Sequence, residues 1–439
     1  MKKTKRIAGV SLLVAILGGC IFLERMMPII TGYAAKNLAS AVFVSGREPK
    51  AVEALDLNFS LIRYTCNTVD YDNKTVTSRF LWGKSTAVYR EGYGVTLLRD
   101  AEVDDLRKQT YPLPADTVTT GPLPRGDSAV SARLAPIAKA FVDDHVYHGH
   151  PFAFLVLHKG GVVAERYDKG IGRDTKLLSW SVAKSFVNAL VGIMVKDSLL
   201  DIHTPMPIAE WQGDERKTIT LHDLMQMQSG LAWNEDYGVR SDVNVMLHCE
   251  QDMGLFALNK PLEHQPGTYW YYSSGSTNIV VRYLRSLFNS DKEFLSYMRE
   301  RLFAPLGIHG AVFEQDMSGT PVGSSFIYAT AMDFARFGQL YLDDGCIGSE
   351  RILPEGWTDY TSTPASDSQG RYGAFFWLNR CHRLPDVPSD MYFCDGHDGQ
   401  NIYIIPSAQL VVVILSFSPK PDNVIDQNTL LKDIINQIY

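Results

Sequence analysis

One serine in the chain is followed three residues later by a lysine, a spacing that predicts nucleophilic catalysis. Ser181-Val182-Ala183-Lys184 starts a segment of helical periodicity, and residues three apart on a helix face the same way. A serine hydroxyl attacks carbonyls poorly until a base takes its proton, and a lysine serves as that base when burial destabilises its ammonium form. A helix-capping serine beside a surface lysine gives the same pattern, so Ser-x-x-Lys is informative only together with other motifs.

A second candidate motif, Tyr272-Ser273-Ser274, lies in an aromatic-rich turn before a helical segment. A tyrosine near a serine–lysine pair relays protons as a phenol or a phenolate. Ser274 is expected to hydrogen-bond either the lysine or the leaving group of a substrate. Ordinary core packing of the aromatic residues is the alternative interpretation of this turn.

A third candidate motif, Gly396-His397-Asp398-Gly399-Gln400, directly precedes a predicted strand. Glycine at this place, as at Gly399, lets a substrate approach the strand edge. The main-chain N–H of Gln400 is then expected to pair with that of Ser181 as an oxyanion hole, and such donors are a large catalytic term in serine hydrolases. His397 is predicted to face the cleft, with a plain β-turn histidine as the alternative.

The elements that must position these motifs are indicated by hydrophobic periodicity. Helical patterns cover residues 134–146, 181–196, 276–288, 293–304 and 330–342, with an amphipathic helix at the C-terminus. Strand patterns cover residues 152–158, 162–167, 401–405 and 410–416. Strands at both ends with helices between them predict one sheet assembled from distant segments plus a helical subdomain, an α+β architecture.

The order of the three motifs resembles the serine β-lactamase-like, or penicillin-recognising, superfamily, which includes class C β-lactamases, esterases and 6-aminohexanoate-dimer hydrolases. The stretches SWSVAKSF, PGTYWYYSSG and GHDGQNIYIIP are similar to its motifs, and ITLHDLMQMQSGL is similar to a connecting segment. RYGAFFWLNR resembles an aromatic wall of the family's pocket. The resemblance implies an antiparallel sheet flanked by helices, an acyl-enzyme on Ser181, Lys184 and Tyr272 as proton relay, and Ser274, His397, Gly399 and Trp377 as substrate-binding residues.

Two departures from the family's pattern favour one branch of it. The β-lactamases and carboxypeptidases usually carry a lysine at the third motif that binds the substrate carboxylate, whereas this chain has His397, a weaker anion anchor. Their usual asparagine in the second motif is Ser274 here. The resemblance therefore implies an esterase or amidase close to the 6-aminohexanoate-dimer hydrolases, acting on a small ester, amide or short peptide-like substrate. A β-lactamase, a D-alanyl-D-alanine carboxypeptidase and a non-catalytic membrane-anchored binding protein are the alternatives.

The composition is that of a globular enzyme. Of 439 residues, 45% are hydrophobic and 21% charged, and the formal net charge is -7. Basic residues form no run outside the first six positions, which argues against a nucleic-acid partner. The histidines show no metal-ligand spacing, and neither a metal nor a cofactor is expected.

The N-terminus is predicted to be a targeting segment over residues 1–31. Lys2, Lys3, Lys5 and Arg6 precede an uncharged stretch that ends at Leu23. A signal anchor with its basic end inside is the favoured interpretation, with a lipoprotein lipidated on Cys20 and a cleaved signal peptide as alternatives. Each of them places the body on the outer, periplasmic side of the membrane. Residues 32–130 are predicted to be an extension without an assigned role, ending in a Pro/Gly-rich linker, and residues 131–439 the hydrolase domain.

An exterior location allows cysteines to pair. Beyond Cys20 the chain has Cys66, Cys249, Cys346, Cys381 and Cys394. Because five is odd, at least one stays unpaired within the chain. Cys381 and Cys394 flank a Pro-containing excursion and are the expected pair. Five buried thiols are the alternative.

Overall fold

In a computed structural model, the chain is described over residues 2–110, 121–421 and 423–439, with the main chain alone for residues 2–17. The helices are α1 (Lys2–Phe43), α2 (Pro49–Leu55), α3 (Val103–Lys108), α4 (Ser128–Val142), α5 (Ala183–Lys196), α6 (Leu221–Met225), α7 (Asp242–Cys249), α8 (Met253–Leu258), α9 (Ser274–Ser286), α10 (Asp291–Met298), α11 (Ala331–Leu342), α12 (Trp357–Ser362) and α13 (Gln427–Ile438). The strands are β1 (Cys66–Asp70), β2 (Thr75–Phe80), β3 (Gly83–Arg90), β4 (Gly94–Leu97), β5 (Pro151–His158), β6 (Gly161–Tyr167), β7 (Leu177–Leu178), β8 (Val312–Phe313), β9 (Ile327–Ala329), β10 (Cys346–Ile347), β11 (Glu350–Arg351), β12 (Trp377–Leu378), β13 (Tyr392–Gly396), β14 (Gln400–Ile405) and β15 (Leu410–Ser416).

The largest sheet joins strands from distant parts of the chain. Its order is β12-β13-β14-β15-β5-β6, and every neighbouring pair is antiparallel. The C-terminal strand β15 pairs with β5, so that the two predicted strand groups meet in one sheet. Helices cover both faces, and the helical part that contains α5 to α10 lies on one of them. The predicted α+β, β-lactamase-like architecture is confirmed.

Strand β15 shows why this sheet is buried on both sides. Successive side chains of a strand point to opposite faces. Val411 and Val413 belong to the core that also holds α5, while Val412 and Ile414 belong to a second core formed with α4 and α13. The strand is therefore apolar throughout, and the core on one of its two faces includes α5.

Two predicted helices differ most from the observed ones. The first helix of the hydrolase domain begins at Ser128 rather than at residue 134, because the Asp127 carboxylate accepts hydrogen bonds from the Ala129 and Val130 N–H groups and caps it. The helix predicted over 293–304 ends at Met298 and continues as a π-helix over Arg299–Phe303. In both cases the apolar spacing located the element but not its ends.

The N-terminal region has a core of its own. Helix α1 continues past the boundary predicted at residue 31 and packs on a four-stranded sheet of order β1-β2-β3-β4, with Leu38, Val76 and Val95 among the buried residues between them. The predicted linker, residues 111–127, lies partly outside the described residues. Within the described part of the chain, no helix has the length and apolar character needed to cross a membrane.

The predicted disulfide is wrong. Cys20, Cys66, Cys249, Cys346, Cys381 and Cys394 are all free thiols in the structure. Cys394 lies on β13 and is buried in the core shared with α5, whereas Cys381 lies in an exposed turn. The alternative of five buried thiols is wrong as well, because Cys66 and Cys381 are exposed.

Candidate active site

Ser181 and Lys184 lie at the start of the central helix α5. Ser181 belongs to a 3-10 turn, Trp180–Val182, that leads directly into the helix. The Lys184 ammonium donates a hydrogen bond to the Ser181 hydroxyl oxygen at 2.8 Å. Lys184 is almost wholly buried, with 1% of its surface exposed, whereas Ser181 is only partly buried and lines an open cleft. Ser181 thus faces the cleft, while Lys184 lies inside the protein.

Burial changes the acid–base chemistry of Lys184. Its Nζ also donates to the Ser274 hydroxyl at 3.0 Å and to the Ser324 carbonyl at 2.9 Å. Burial lowers the pKa of Lys184 to about 8, and the nearby Glu235 carboxylate opposes that shift. Desolvation disfavours the ammonium form, so a substantial part of the lysine is neutral near pH 8 and able to take a proton.

Tyr272 stands just before helix α9, whose N-cap is Ser273. Its ring lies 4.9 Å from the Lys184 ammonium. Burial raises the pKa of the Tyr272 phenol well above its usual value, the Glu235 charge adds to the rise, and a hydrogen bond with Ser181 opposes it. Tyr272 is therefore a neutral phenol at neutral pH. Of the two predicted proton carriers, Lys184 is the one whose environment suits it to be the base.

Two further residues of the site escaped the sequence analysis. The Glu235 carboxylate accepts hydrogen bonds from the Ser274 hydroxyl at 2.5 Å and from the Ser274 N–H at 2.9 Å. The Trp233 indole and the Tyr237 hydroxyl also donate to it. Lys184, Ser274 and Glu235 thus form one chain of hydrogen bonds. Of the two partners predicted for Ser274, the structure shows the lysine.

Tyr237 completes the wall opposite the third motif. Its ring stacks on the His397 imidazole, with ring centres 4.7 Å apart and planes 21° from parallel. Both Glu235 and Tyr237 lie in an irregular segment between α6 and α7, where no helical or strand periodicity marks them. The one sequence signal that could have indicated Glu235 and Tyr237 as site residues was their position shortly after the connecting stretch ITLHDLMQMQSGL.

The third motif lies where β13 turns into β14. His397 lines the cleft with 37% of its side chain exposed, and its Nε2 is 3.3 Å from an Asp398 carboxylate oxygen. Gly399 has a φ of +88°, and a Cβ there would come within 2.4 Å of the Ser416 hydroxyl, so glycine is required on both counts. The Gln400 side chain exchanges hydrogen bonds with the Ser416 main chain, and Gln400 itself pairs with Gly396 across the β13–β14 hairpin. The oxyanion-hole role of its main-chain N–H stays a prediction.

The cleft at Ser181 has a volume of about 390 Å³. Tyr272 and Trp377 form an aromatic wall, with ring centres 5.3 Å apart. The wall from the C-terminal part of the chain is charged, with Arg383 and Lys420 on one hand and Asp395, Asp398 and Asp426 on the other. The structure thus brings the predicted residues Ser181, Tyr272, Trp377, His397 and Gly399 to one cleft, with Lys184 and Ser274 directly beneath it. Among the described residues, no group of three or more His, Cys, Asp or Glu side chains is arranged to hold a metal ion.

Comparison with known families decides the classification, because the beta-lactamase family model matches residues 137–435. The chain belongs to the beta-lactamase family. This confirms the resemblance drawn from the three motifs, and the protein is a serine hydrolase of this family. The match begins well after α1 and the β1–β4 sheet, which lie outside it.

Individual proteins and solved structures are also similar to this chain. It is 25% identical over 300 residues to the 6-aminohexanoate-dimer hydrolase of Paenarthrobacter ureafaciens, an alignment that spans 62% of this chain and 73% of that protein. Its fold is similar to that of a family VIII carboxylesterase, with a TM-score of 0.55 and 16% identity over 72% of this chain and 98% of the other. EstA from Arthrobacter nitroguajacolicus Rue61a gives a TM-score of 0.52 and 16% identity over 70% and 96% of the two chains.

Proposed function

We infer that the protein is an esterase or amidase that hydrolyses a small ester, amide or short peptide-like substrate through an acyl-enzyme on Ser181. The observation that carries this proposal is the 2.8 Å contact between the Ser181 hydroxyl and Lys184, a lysine whose pKa burial lowers to about 8. Nucleophile and base within hydrogen-bond reach, with the base held in turn by a third group, is the arrangement that activates a serine. Here Ser274 is that third group.

The reaction begins when neutral Lys184 takes the proton of the Ser181 hydroxyl and the oxygen attacks the substrate carbonyl. The main-chain N–H groups of Ser181 and Gln400 then stabilise the oxyanion, and one such donor is typically worth about 3 to 4 kcal/mol. The tetrahedral intermediate collapses when the leaving group departs with a proton supplied by Lys184 through Tyr272. Water then attacks the acyl-enzyme and gives one proton to the same relay. The second tetrahedral intermediate collapses by breaking its bond to the Ser181 oxygen, the relay returns the proton to that oxygen, and the acid is released with Ser181 again a hydroxyl.

The charges of the cleft favour neutral or cationic substrates over anionic ones. Three aspartates face it, against the two fixed cations Arg383 and Lys420. Arg383 is itself within 3.8 Å of the Asp395 carboxylate. A β-lactam or a peptide ending in a free carboxylate therefore meets more aspartates than cations, and His397 occupies the place of the family's lysine. This supports an esterase or amidase over a β-lactamase or carboxypeptidase, and the 6-aminohexanoate-dimer hydrolase relative agrees with it.

Replacement of the nucleophile tests the proposal. Ser181→Ala should abolish hydrolysis of a p-nitrophenyl ester in a protein that keeps its circular dichroism spectrum, because loss of a nucleophile removes several orders of magnitude in rate. More than a tenth of wild-type activity in that variant would exclude Ser181 as nucleophile. A non-catalytic binding protein of the same fold would show no ester hydrolysis even in the wild type.

We also infer that the N-terminal segment holds the hydrolase on the outer side of a membrane. The support is the basic start at Lys2 to Arg6 followed by an uncharged run to Leu23, because basic residues stay on the cytoplasmic side. Protease added to spheroplasts should digest the body of the protein. Protection until lysis would place it in the cytoplasm, and release into the medium by Cys20→Ser would identify a lipid anchor instead of a helix.

A further inference from the structure

The residue that precedes the nucleophile is held in a strained conformation. Trp180 has a φ of +43°, in the left-handed region that bulky side chains rarely adopt. Such conformations persist only where the surrounding packing enforces them. Since Trp180 opens the turn that carries Ser181, whatever holds this indole also fixes the position of the Ser181 hydroxyl.

Three rings surround the Trp180 side chain, which is 4% exposed. Two of them belong to the hydrolase domain: His397 meets the indole edge to face at 5.5 Å, and Phe326 lies 5.9 Å from it. The third is Tyr33 of helix α1, stacked on the indole at 6.3 Å with the planes 25° apart. Part of the packing that enforces the strain thus comes from outside residues 137–435, the part that matches the family.

Tyr33 belongs to a unit that is firmly joined to the hydrolase domain. We name residues 26–43 of α1 together with strands β1 to β4 the N-terminal module. Its Lys36 ammonium pairs with the Glu314 carboxylate, and both side chains are buried, at 3% and 0% exposure. The Ser40 hydroxyl and the Val95 N–H of the module donate to the same carboxylate at 2.9 and 2.7 Å. A buried carboxylate requires such partners, so Glu314 depends on the module.

This ion pair reaches Trp180 through one more ring. The Lys36 ammonium lies 4.0 Å above the centre of the Phe326 ring, and Phe326 is one of the rings that contact Trp180. Tyr33 itself packs on both the core of the module and the core around α5. The module therefore packs on Trp180 directly through Tyr33, and indirectly through Lys36, which contacts Phe326.

We propose that the N-terminal module is a working part of the active site and that Tyr33 is its positioning residue, holding Trp180 in its strained conformation so that Ser181 stands at the correct distance from Lys184. This rests on the proposed function of Ser181 as nucleophile. Tyr33 is not a catalytic residue, since it acts through Trp180. The proposal gives a role to the extension that the three motifs do not explain.

The test is the rate at which a fluorophosphonate probe labels Ser181 in the full-length protein. Tyr33→Ala should slow labelling and lower kcat for a p-nitrophenyl ester by about tenfold or more, because small displacements of a reacting group are costly, while the KM changes little. Tyr33→Phe keeps the ring on Trp180 and should restore the wild-type rate.

Leu38→Ala is the matched control for a general loss of stability. Leu38 lies on the same helix, is fully buried, and packs in the module's own core with Val76 and Val95. It should lower the melting temperature while leaving the labelling rate unchanged at temperatures well below melting. The positioning role would be overturned if the probe labelled Tyr33→Ala at the wild-type rate, or if Leu38→Ala slowed labelling as much as Tyr33→Ala does. A different result would refute the proposed function itself: probe labelling or ester hydrolysis that persists in Ser181→Ala.

Discussion

Removal of the Glu235 charge should shift the pH at which the enzyme becomes active. The hydrogen bonds from Lys184 to Ser274 and from Ser274 to Glu235 measure 3.0 and 2.5 Å, which places the ammonium and the carboxylate no more than about 5.5 Å apart. At an effective dielectric constant of about 20, that separation corresponds to about 3 kcal/mol of attraction, or about two pH units. Glu235 is partly exposed, so screening reduces the effect to about one unit.

The sign follows from the role of Lys184 as a base. Lys184 works in its neutral form, so kcat/KM should rise with pH through its pKa of about 8 and then level off. Burial lowers this pKa and Glu235 raises it. In Glu235→Gln the lysine should therefore lose its proton more readily, and the rising limb should move to lower pH. The plateau should fall, because a less basic lysine is a weaker proton acceptor.

The assay is kcat/KM for a p-nitrophenyl ester measured across the pH range in the wild type and the variant. Asp236→Asn is the control, since this neighbouring carboxylate is exposed and accepts a hydrogen bond from the Gly238 N–H rather than from Ser274. Asp236→Asn should leave the rising limb of the pH profile at the same pH as in the wild type. A limb that stays at about pH 8 in Glu235→Gln, or moves upward, would refute the linkage through Ser274.

Two other expectations follow from the same site. Lys184→Ala and Tyr272→Phe should each slow acylation, measured by single-turnover kinetics. The double variant should lose far less activation free energy than the sum of the two single losses, because both residues handle one proton. A strictly additive double-mutant cycle would argue against a shared relay. Benzylpenicillin should be hydrolysed poorly, because its carboxylate meets His397 and a cleft with an excess of aspartates. Its hydrolysis is followed by ultraviolet absorbance. Turnover comparable to that of good esters would place the protein among the β-lactamases.

The sequence predicted those features in which residue type and spacing have a local meaning. The strands at both ends of the hydrolase domain have strong apolar runs, and they meet in one sheet as expected. Ser181, Lys184, Tyr272 and His397 come together because each lies at the end of an element whose position the fold dictates. The roles assigned to them are predictions that the experiments above address.

The remaining features depend on long-range contacts that no local pattern shows. Glu235 is an acidic residue in an irregular segment, and its hydrogen bonds with Ser274, Trp233 and Tyr237 distinguish it from the exposed Asp236 next to it. The disulfide prediction failed because the excursion was judged by its flanking cysteines alone, while the inward direction of Cys394 is set by its place on β13. The partners of the buried ion pair Lys36–Glu314 are 278 positions apart in the chain.

The most direct test of the central claim is the mass of the covalent adduct formed with a fluorophosphonate probe. Peptide mapping of the labelled wild type should place the adduct on Ser181, at a rate that follows the pKa of Lys184 and so rises through about pH 8. Ser181→Ala should take up no probe. An adduct on any other residue, or labelling of Ser181 that is independent of pH across that range, would contradict the assignment of Ser181 and Lys184 as nucleophile and base.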